Sequence, residues 1–192
     1  GGTTAGAVGT PENALRISST TSDSIAMKIN TTAIFTDPSA WYHIVAVVDT
    51  TNSISTERLR LYVNGNRQTD LTSTLFPSKD TETELFRNTD NVLSVGAWVN
   101  PSESVRFFDG YMAEIHVVNG YAYGPEYFGE FDDYGIWRPI EYTGSYGTNG
   151  FKIDGRDSSD LGDDESGNGN DFTTNSLVAT DKRTDSPTNN HA

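Results

Sequence analysis

The sequence predicts an all-β fold of antiparallel strands, and three observations support this class. The 192-residue chain is rich in Thr, Ser, Asn, Asp and Gly, residue types that favour turns and loops over helices. No window shows a sustained apolar period of about 3.6 residues, which an amphipathic helix would require. Short runs of apolar, β-branched and aromatic side chains stand between the polar segments instead, as in strands joined by long loops.

Two neighbouring strands have the strongest patterns. Residues 41–49 read WYHIVAVVD, and an apolar, β-branched run of this length fits a central strand buried on both faces. Residues 58–63 alternate between apolar and other side chains, as expected for a strand with one face in the core. The Asn-Gly pair at residues 64–65 then predicts a tight hairpin turn.

Weaker patterns place the other elements around these two strands. In chain order they are outer strands at residues 14–18 and 25–29, a short strand at 32–35, a return strand at 67–71, strong strands at 92–99 and 107–118, and a helical turn at 124–128. Gly96 is expected to mark a bulge in its strand or a close approach of another backbone. The predicted interior consists of Ile44, Ala46, Val48, Leu59, Leu61, Val63, Val95, Ile115 and Val117.

Charge and composition exclude several classes of function. With 13 basic and 27 acidic residues the net charge is −14, so neither nucleic acid nor an anionic membrane is an expected partner. No run of about 18 apolar residues predicts a membrane span or a retained signal peptide. Without cysteine there are no disulfides or thiolate metal sites. Because the first residue is Gly1, we expect the chain to begin inside a longer gene product.

Three motifs occur in an order that resembles a known family of sandwiches. They are WYHI at residues 41–44, LYVNG at 61–65 and FDGYMAEI at 108–115. This order is similar to the laminin-G, pentraxin and concanavalin A-like lectins, and the similarity covers residues 14–131. It implies a two-sheet antiparallel jelly-roll sandwich, which we place at residues 1–131.

A narrower resemblance lies in residues 135–151 and in residues 166–173, which read SGNGNDFT. Both are similar to segments that follow such a sandwich in large structural proteins of tailed, often marine, bacteriophages. The resemblance implies a non-enzymatic structural or adhesion module at the virion surface, in a tail fibre, tail or head. Its partners would be other virion chains in an oligomer, and a host surface glycan. The alternative is a carbohydrate-binding or matrix module of laminin-G type from the extracellular space of a cell.

The C-terminal third is more polar than the rest. We interpret residues 132–150 as a connector and residues 151–192 as an extension rich in Asp, Asn and Gly. Since residues 154–170 contain few apolar side chains, they bury little surface on their own. The extension is predicted to begin a second sandwich or to form an arm that contacts a partner. A third alternative is that residues 164–173 supply a strand that completes the first sandwich.

No catalytic residues are predicted. The chain has no nucleophile elbow, no phosphate-binding Gly-Lys loop and no strand with the paired carboxylates of related glucanases. Asp109 and Glu114 are the acids of the strand that comes nearest to such a pair. The three histidines, His43, His116 and His191, lack metal spacing, so we expect the two strand histidines to be satisfied by hydrogen bonds or solvent.

Acidic residues in the extension are the candidate metal ligands. Calcium takes about six to eight oxygen ligands, which several carboxylates in one loop could supply. No cofactor is required, and the other interpretation is a solvated acidic loop. The resemblance to calcium-binding relatives is weakened by Ala113, which stands where many of them have Asp. The candidates are Asp154, Asp157, Asp160 and Asp163, with Asp164 and Asp171 beside them in the sequence.

Aromatic side chains near strand ends are the candidate glycan-binding residues. Sugar rings stack on exposed aromatic faces, while Asn and Asp bind the hydroxyl groups. The other interpretation is that these aromatics belong to the core. The candidates are Trp98, Asn100, Asp109, Tyr111, Asn119, Tyr121 and Tyr123.

Overall fold

A computed structural model describes residues 12–21, 24–82, 93–98 and 106–183. Within these ranges the regular structure consists of strands and short 3-10 turns, and every strand pair is antiparallel. The predicted all-β class is therefore confirmed. No helix in these ranges has the length and apolarity needed to cross a bilayer. The chain divides into two compact units, Gly1–Leu85 and Phe86–Ala192.

The first unit contains a sheet with the order β1-β2-β6. Its strands are β1 (Ala14–Thr21), β2 (Ser24–Ile34) and β6 (Leu71–Leu75). The strands predicted at residues 25–29 and 32–35 are thus one strand, β2. A bulge in β2 is held by the buried Thr31, whose Oγ1 accepts a hydrogen bond from the Leu15 amide at 3.0 Å.

A second sheet in the same unit has the order β3-β4-β5. Its strands are β3 (Ile44–Val48), β4 (Leu59–Val63) and β5 (Asn66–Arg67). Asn64 and Gly65 have φ values of 48° and 73°, which confirms the predicted hairpin turn. The predicted central position of residues 41–49 is wrong for the described sheet: β4 lies at its centre, and β3 pairs there with β4 alone.

The core of the first unit lies between these two sheets. Met27 and Ile29 of β2 pack with Leu59 and Leu61 of β4, and each side chain is at most 2% exposed. Burial of this kind stabilises a fold by about 1.5–3 kcal/mol for each large apolar side chain. Partly buried neighbours extend the core: Leu15, Ile17, Val48, Leu71 and Phe76. This face-to-face packing is the two-layer arrangement of a β-sandwich.

Two predicted core residues of β3 are exposed. Ile44 pairs with Val63 and Ala46 with Leu61, so both lie on the predicted inward face. Ile44 is nevertheless 44% exposed, and Ala46 is exposed as well. The physical reason is that only the Val48 end of β3 packs against the core cluster, so the side chains at the other end of the strand are not covered by it.

Three two-stranded sheets lie among the described residues of the second unit. They pair β7 (Ala97–Trp98) with β8 (Arg106–Phe107), β9 (Ile115–Val117) with β12 (Phe151–Ile153), and β10 (Gly129–Phe131) with β11 (Trp137–Pro139). A 3-10 turn at Pro125–Tyr127 separates β9 from β10, which confirms the helical turn predicted there.

The strand predicted at residues 107–118 is two strands, β8 and β9. Glu114 immediately precedes β9 with a φ of 51°, a left-handed conformation that interrupts a strand. Of the strand predicted at residues 92–99, the described part pairs only at Ala97–Trp98, and residues 92 and 99 lie outside the described ranges. Gly96 has the positive φ, 76°, that suits the irregularity expected there.

Three further members of the predicted core are less buried than expected. Val95 is 37% exposed, and Ile115 and Val117 are half-buried. The two β9 residues pair with β12, whose own side chains are better covered. Sequence alternation therefore identified the strand but overestimated the depth at which it lies.

The polar extension contributes β12 to a sheet with β9. Phe151 and Ile153 of β12 are buried, 3% and 8% exposed. This pairing joins residues on both sides of the boundaries proposed at 131 and 150. The strand that pairs is Phe151–Ile153, not the segment 164–173 of the third alternative. The proposed division into sandwich, connector and extension stays a prediction.

Two asparagines of the extension attach it to the loop before β12. The Asn168 side-chain amide donates to the carbonyls of Gly147 and Gly150, at 2.6 and 2.8 Å. The Asn170 amide donates to the carbonyls of Thr148 and Gly150, at 3.2 and 2.9 Å. We call this pair the asparagine clamp. Through it, residues 168–170 are bonded to the loop at residues 147–150.

Candidate functional site

Three tyrosine rings form a stack on the second unit. The rings of Tyr121 and Tyr123 are parallel within 1°, with centroids 5.1 Å apart, and those of Tyr123 and Tyr127 are 4.1 Å apart at 26°. Tyr121 is 52% exposed, Tyr127 is 46% exposed and Tyr123 is half-buried. We call these residues the tyrosine stack. They offer aromatic surface to solvent on a short, ordered segment.

The local sequence explains why these rings meet. Gly120, with a φ of 90°, turns the chain after β9. Tyr121 and Tyr123 are two residues apart in the non-helical segment that follows, a spacing that places side chains on one side of an extended chain. Pro125 then occupies the first position of the 3-10 turn, and the turn brings Tyr127 back onto Tyr123.

Four aromatic residues support the stack from the interior. Tyr142 connects the tyrosine stack to the other interior rings: its ring centroid lies 6.2 Å from that of Tyr123 and 4.9 Å from that of Phe128. His116 and Tyr146 stack at 5.9 Å with an interplanar angle of 8°. We call His116, Phe128, Tyr142 and Tyr146 the aromatic base. Because Tyr142 and Tyr146 are 7% and 8% exposed, the stack rests on a packed foundation.

Hydrogen bonds orient the rings of the aromatic base. The Tyr146 hydroxyl lies 2.8 Å from His116 Nδ1, and the Tyr142 hydroxyl donates to the Ser145 carbonyl at 2.7 Å. Burial, followed by the nearby Tyr142 and acidic groups, raises the pKa of Tyr146 far above its ordinary value. Its hydroxyl therefore stays protonated even in alkaline solution in which an ordinary tyrosine ionises. The expectation that a strand histidine is satisfied by hydrogen bonding is confirmed for His116.

A carboxylate accompanies the stack. Glu126 lies in the 3-10 turn between Tyr123 and Tyr127, and it is exposed. Its carboxyl group folds back over Gly124 and occupies the space that a Cβ at that position would need. Gly124 is therefore required for this conformation of Glu126. An ionised carboxylate accepts hydrogen bonds and donates none, so it suits the hydroxyl groups of a ligand.

The structure brings together part of the predicted glycan site. The rings of Tyr121 and Tyr123 are in contact. The backbone amide of the half-buried Asn119 donates to the carbonyl of Tyr146, a residue of the aromatic base, at 2.9 Å. Sequence reasoning missed Tyr127 and Glu126. The signal that could have found them is the spacing of four residues between Tyr123 and Tyr127 across the Gly-Pro start of the turn.

The other predicted glycan-binding residues lie elsewhere in the second unit. Asp109 and Tyr111 are exposed between β8 and β9, and the Tyr111 ring lies 5.9 Å from the guanidinium of Arg183. Trp98 lies in β7, but its side chain and all of Asn100 fall outside the described residues.

The predicted metal ligands form local contacts. Asp154 Oδ1 accepts from the Arg156 amide at 2.9 Å, and its Oδ2 lies 3.6 Å from Lys152 Nζ and 3.4 Å from Arg156 Nε. Asp157 accepts from the amide and hydroxyl of Ser159, each at 2.7 Å.

The two remaining candidates are also local. Asp160 accepts from the Gly162 amide at 3.0 Å. Partial burial, followed by repulsion from Asp171, Asp160 and Asp157, raises the pKa of Asp163. In the ranges that the structure describes, no three or more His, Cys, Asp or Glu side chains are grouped so that they could hold a metal ion. Calcium binding at Asp154, Asp157, Asp160 and Asp163 stays a prediction.

Glu114 is the other acid in an unusual environment. Burial raises its pKa, although Arg156 opposes this shift, with Nη2 3.3 Å from Glu114 Oε1. Arg156 also contacts Asp154, so the guanidinium lies between two carboxylates. Glu114, Arg156 and Asp154 thus form an ion-pair network at the β9–β12 sheet, and the guanidinium compensates the charge of the two partly buried carboxylates.

Two packed antiparallel sheets in the first unit define a β-sandwich module. Residues 3–126 match the laminin-G-type family model described as the concanavalin A-like lectin/glucanases superfamily, and the chain belongs to that superfamily. Searches of curated proteins and of solved structures found no match. Membership suggests a carbohydrate-binding or adhesion module, and lectin domains of this type are generally non-catalytic.

Proposed function

We propose that this protein is a non-enzymatic adhesion module on the surface of a tailed-bacteriophage virion. It acts by assembly with other virion chains and by contact with a host surface glycan. The observation that carries the proposal is the superfamily match over residues 3–126. The phage setting is supported by the resemblance of residues 135–151 and 166–173 to virion structural proteins. A cellular matrix module of laminin-G type is the alternative setting.

The tyrosine stack is the proposed glycan contact. Tyr121 and Tyr127 expose ring area that can receive the C–H face of a pyranose, and the aromatic base holds them in place. Pre-ordered rings lose little conformational entropy on binding, which favours affinity. Stacking on one aromatic ring contributes about 0.5–1.5 kcal/mol, so one module binds weakly and several modules in an oligomer bind well.

Glycan binding is tested by substitution in the stack. We expect Tyr121→Ala and Tyr127→Ala to weaken binding to any sugar that the wild type retains on a glycan array, by several-fold to about tenfold each. Tyr134→Ala is the matched control, because Tyr134 is 88% exposed in the loop between β10 and β11, outside the stack. Equal binding by all three variants would contradict the assignment of the site.

The virion setting is tested separately. Antibodies against the purified chain should label the surface of intact tailed-phage particles in electron micrographs, and cross-linking of those particles should join the chain to other virion proteins. Labelling of a cell envelope or extracellular matrix, with unlabelled particles, would favour the cellular alternative. Neither result depends on the identity of the glycan.

A further inference from the structure

We propose that the tyrosine stack selects uncharged sugar chains and rejects chains that carry carboxylates, with Glu126 as the residue that determines this preference. This inference rests on the proposed glycan-binding function and adds the class of ligand. Aromatic stacking alone cannot provide such a preference, since neutral and acidic pyranoses present similar C–H faces to a ring. The preference must come from the polar groups beside the rings.

Glu126 lies next to the tyrosine stack in the chain. It shares the 3-10 turn with Tyr127 and follows Tyr123 by three residues, while its carboxylate is folded over Gly124. It is exposed, so a bound sugar can reach it. A carboxylate accepts hydrogen bonds from sugar hydroxyls, which are donors. It repels a second carboxylate, because like charges a few ångströms apart disfavour each other.

The surroundings of the stack are also acidic. Glu141 is exposed beside Tyr142, the residue that connects the stack to the aromatic base. Two cations of β11 and β12 are paired with carboxylates, Arg138 with Asp132 and Lys152 with Asp154. The net charge of −14 adds a long-range repulsion that acts in the same direction.

The test compares two ligands with the same sugar chain, one neutral and one negatively charged. An oligogalacturonate of defined length is measured in its fully methyl-esterified form, which is neutral, and in its de-esterified form, by calorimetry at low ionic strength. We expect the wild type to bind the neutral form at least about fivefold more tightly, a ratio that falls as salt is added. In Glu126→Gln the ratio should fall to about twofold or less, through tighter binding of the acidic form.

The matched control is Glu82→Gln, which removes one exposed negative charge from the first unit and leaves the stack unchanged. It should keep the wild-type ratio, and a ratio that falls equally in both variants would overturn the assignment to Glu126. Equal or tighter binding of the acidic form, still lost in Tyr121→Ala, would overturn the selectivity while leaving the glycan site intact.

Two further outcomes bear on the proposed function itself. If neither form binds and an array of diverse glycans is also empty, the glycan contact fails together with the selectivity. If a proline-rich peptide binds in a manner lost in Tyr127→Ala while sugars do not, the stack is a peptide site and the inference is overturned, since aromatic-lined surfaces also receive such peptides.

Discussion

The carboxylate of Asp164 holds a local turn and also bonds to residues farther away in the chain. Its Oδ1 accepts from the amides of Lys152 and Ser166 at 2.8 and 2.9 Å. Its Oδ2 accepts from the Ser166 hydroxyl at 2.8 Å and from the backbone amide of Asn170 at 2.9 Å. The side chain therefore connects β12 to the asparagine clamp. The same local motif, Asp followed two residues later by Ser or Thr, holds turns at Asp37, Asp49 and Asp157.

Replacing Asp164 should destabilise the second unit. In Asp164→Asn one acceptor oxygen is lost in a site that is 7% exposed, so buried amides lose their partner. We expect a loss of about 2–3 kcal/mol, measured by urea denaturation monitored through tyrosine fluorescence. Asp157→Asn alters the same local motif on the surface and should change the midpoint little. Similar midpoints for both variants would mean that the long-range bonds of Asp164 contribute nothing.

The same carboxylate should make stability depend on acid. Burial alone would raise the pKa of Asp164, but hydrogen bonds from Lys152, Ser166 and Asn170 outweigh it and hold the pKa below its ordinary value. A lowered folded-state pKa stabilises the protein above the unfolded-state value, about 3.9, and that contribution disappears as the pH falls through the folded-state pKa. Stability measured against pH should therefore fall less steeply below about pH 4 in Asp164→Asn than in the wild type. Parallel curves would contradict this.

At the scale of elements, β3 and β4 carry residues that share one face of the same sheet but differ in burial. Leu61 is 0% exposed, whereas Ile44, on the same face of the same sheet, is 44% exposed. We expect Leu61→Ala to reduce the free energy of unfolding by about 2–5 kcal/mol, because it leaves a cavity between the sheets. Ile44→Ala should cost well under half as much. Both free energies of unfolding are measured by denaturant titration. Similar losses in the two variants would show that Ile44 is buried in solution, for example by a partner chain.

Strong local signals made several elements predictable. The Asn64-Gly65 hairpin depends on two positive φ values that these residue types adopt easily, and β4 buries one face of an alternating pattern. The turn at Pro125–Tyr127 depends on a proline at its first position. In each case the physical cause lies within a few residues of chain, so the sequence is sufficient to identify it.

Elements that depend on distant partners were not predictable. The exposure of Ile44 and Ala46 is decided by how far the facing sheet extends, which no local pattern records. The break before β9 comes from the left-handed Glu114, a residue type that rarely adopts that conformation. The tyrosine stack was only half anticipated, because Tyr127 joins it through the geometry of a turn.

At the scale of the whole molecule, the proposed non-enzymatic function leads to one prediction. Incubation with diverse polysaccharides should release no reducing ends, with an active glycosidase as positive control. The reason is that no paired acid and nucleophile were found in the sequence, and Glu114 is engaged by Arg156. Hydrolysis that disappears in Glu114→Gln or Asp109→Asn would contradict the proposal and indicate an enzyme.

The asparagine clamp also bears on how the protein ages chemically. Asn168 precedes Gly169, and Asn-Gly pairs deamidate readily when the glycine amide can attack the side-chain carbonyl carbon. In the folded protein the Asn168 amide is bound to the carbonyls of Gly147 and Gly150, so the side chain is held away from that reaction. Once deamidated, residue 168 would present a carboxylate to those two carbonyl oxygens, which repel it. Because deamidation is slow compared with local opening, its rate at this position reports the fraction of time for which the clamp is open.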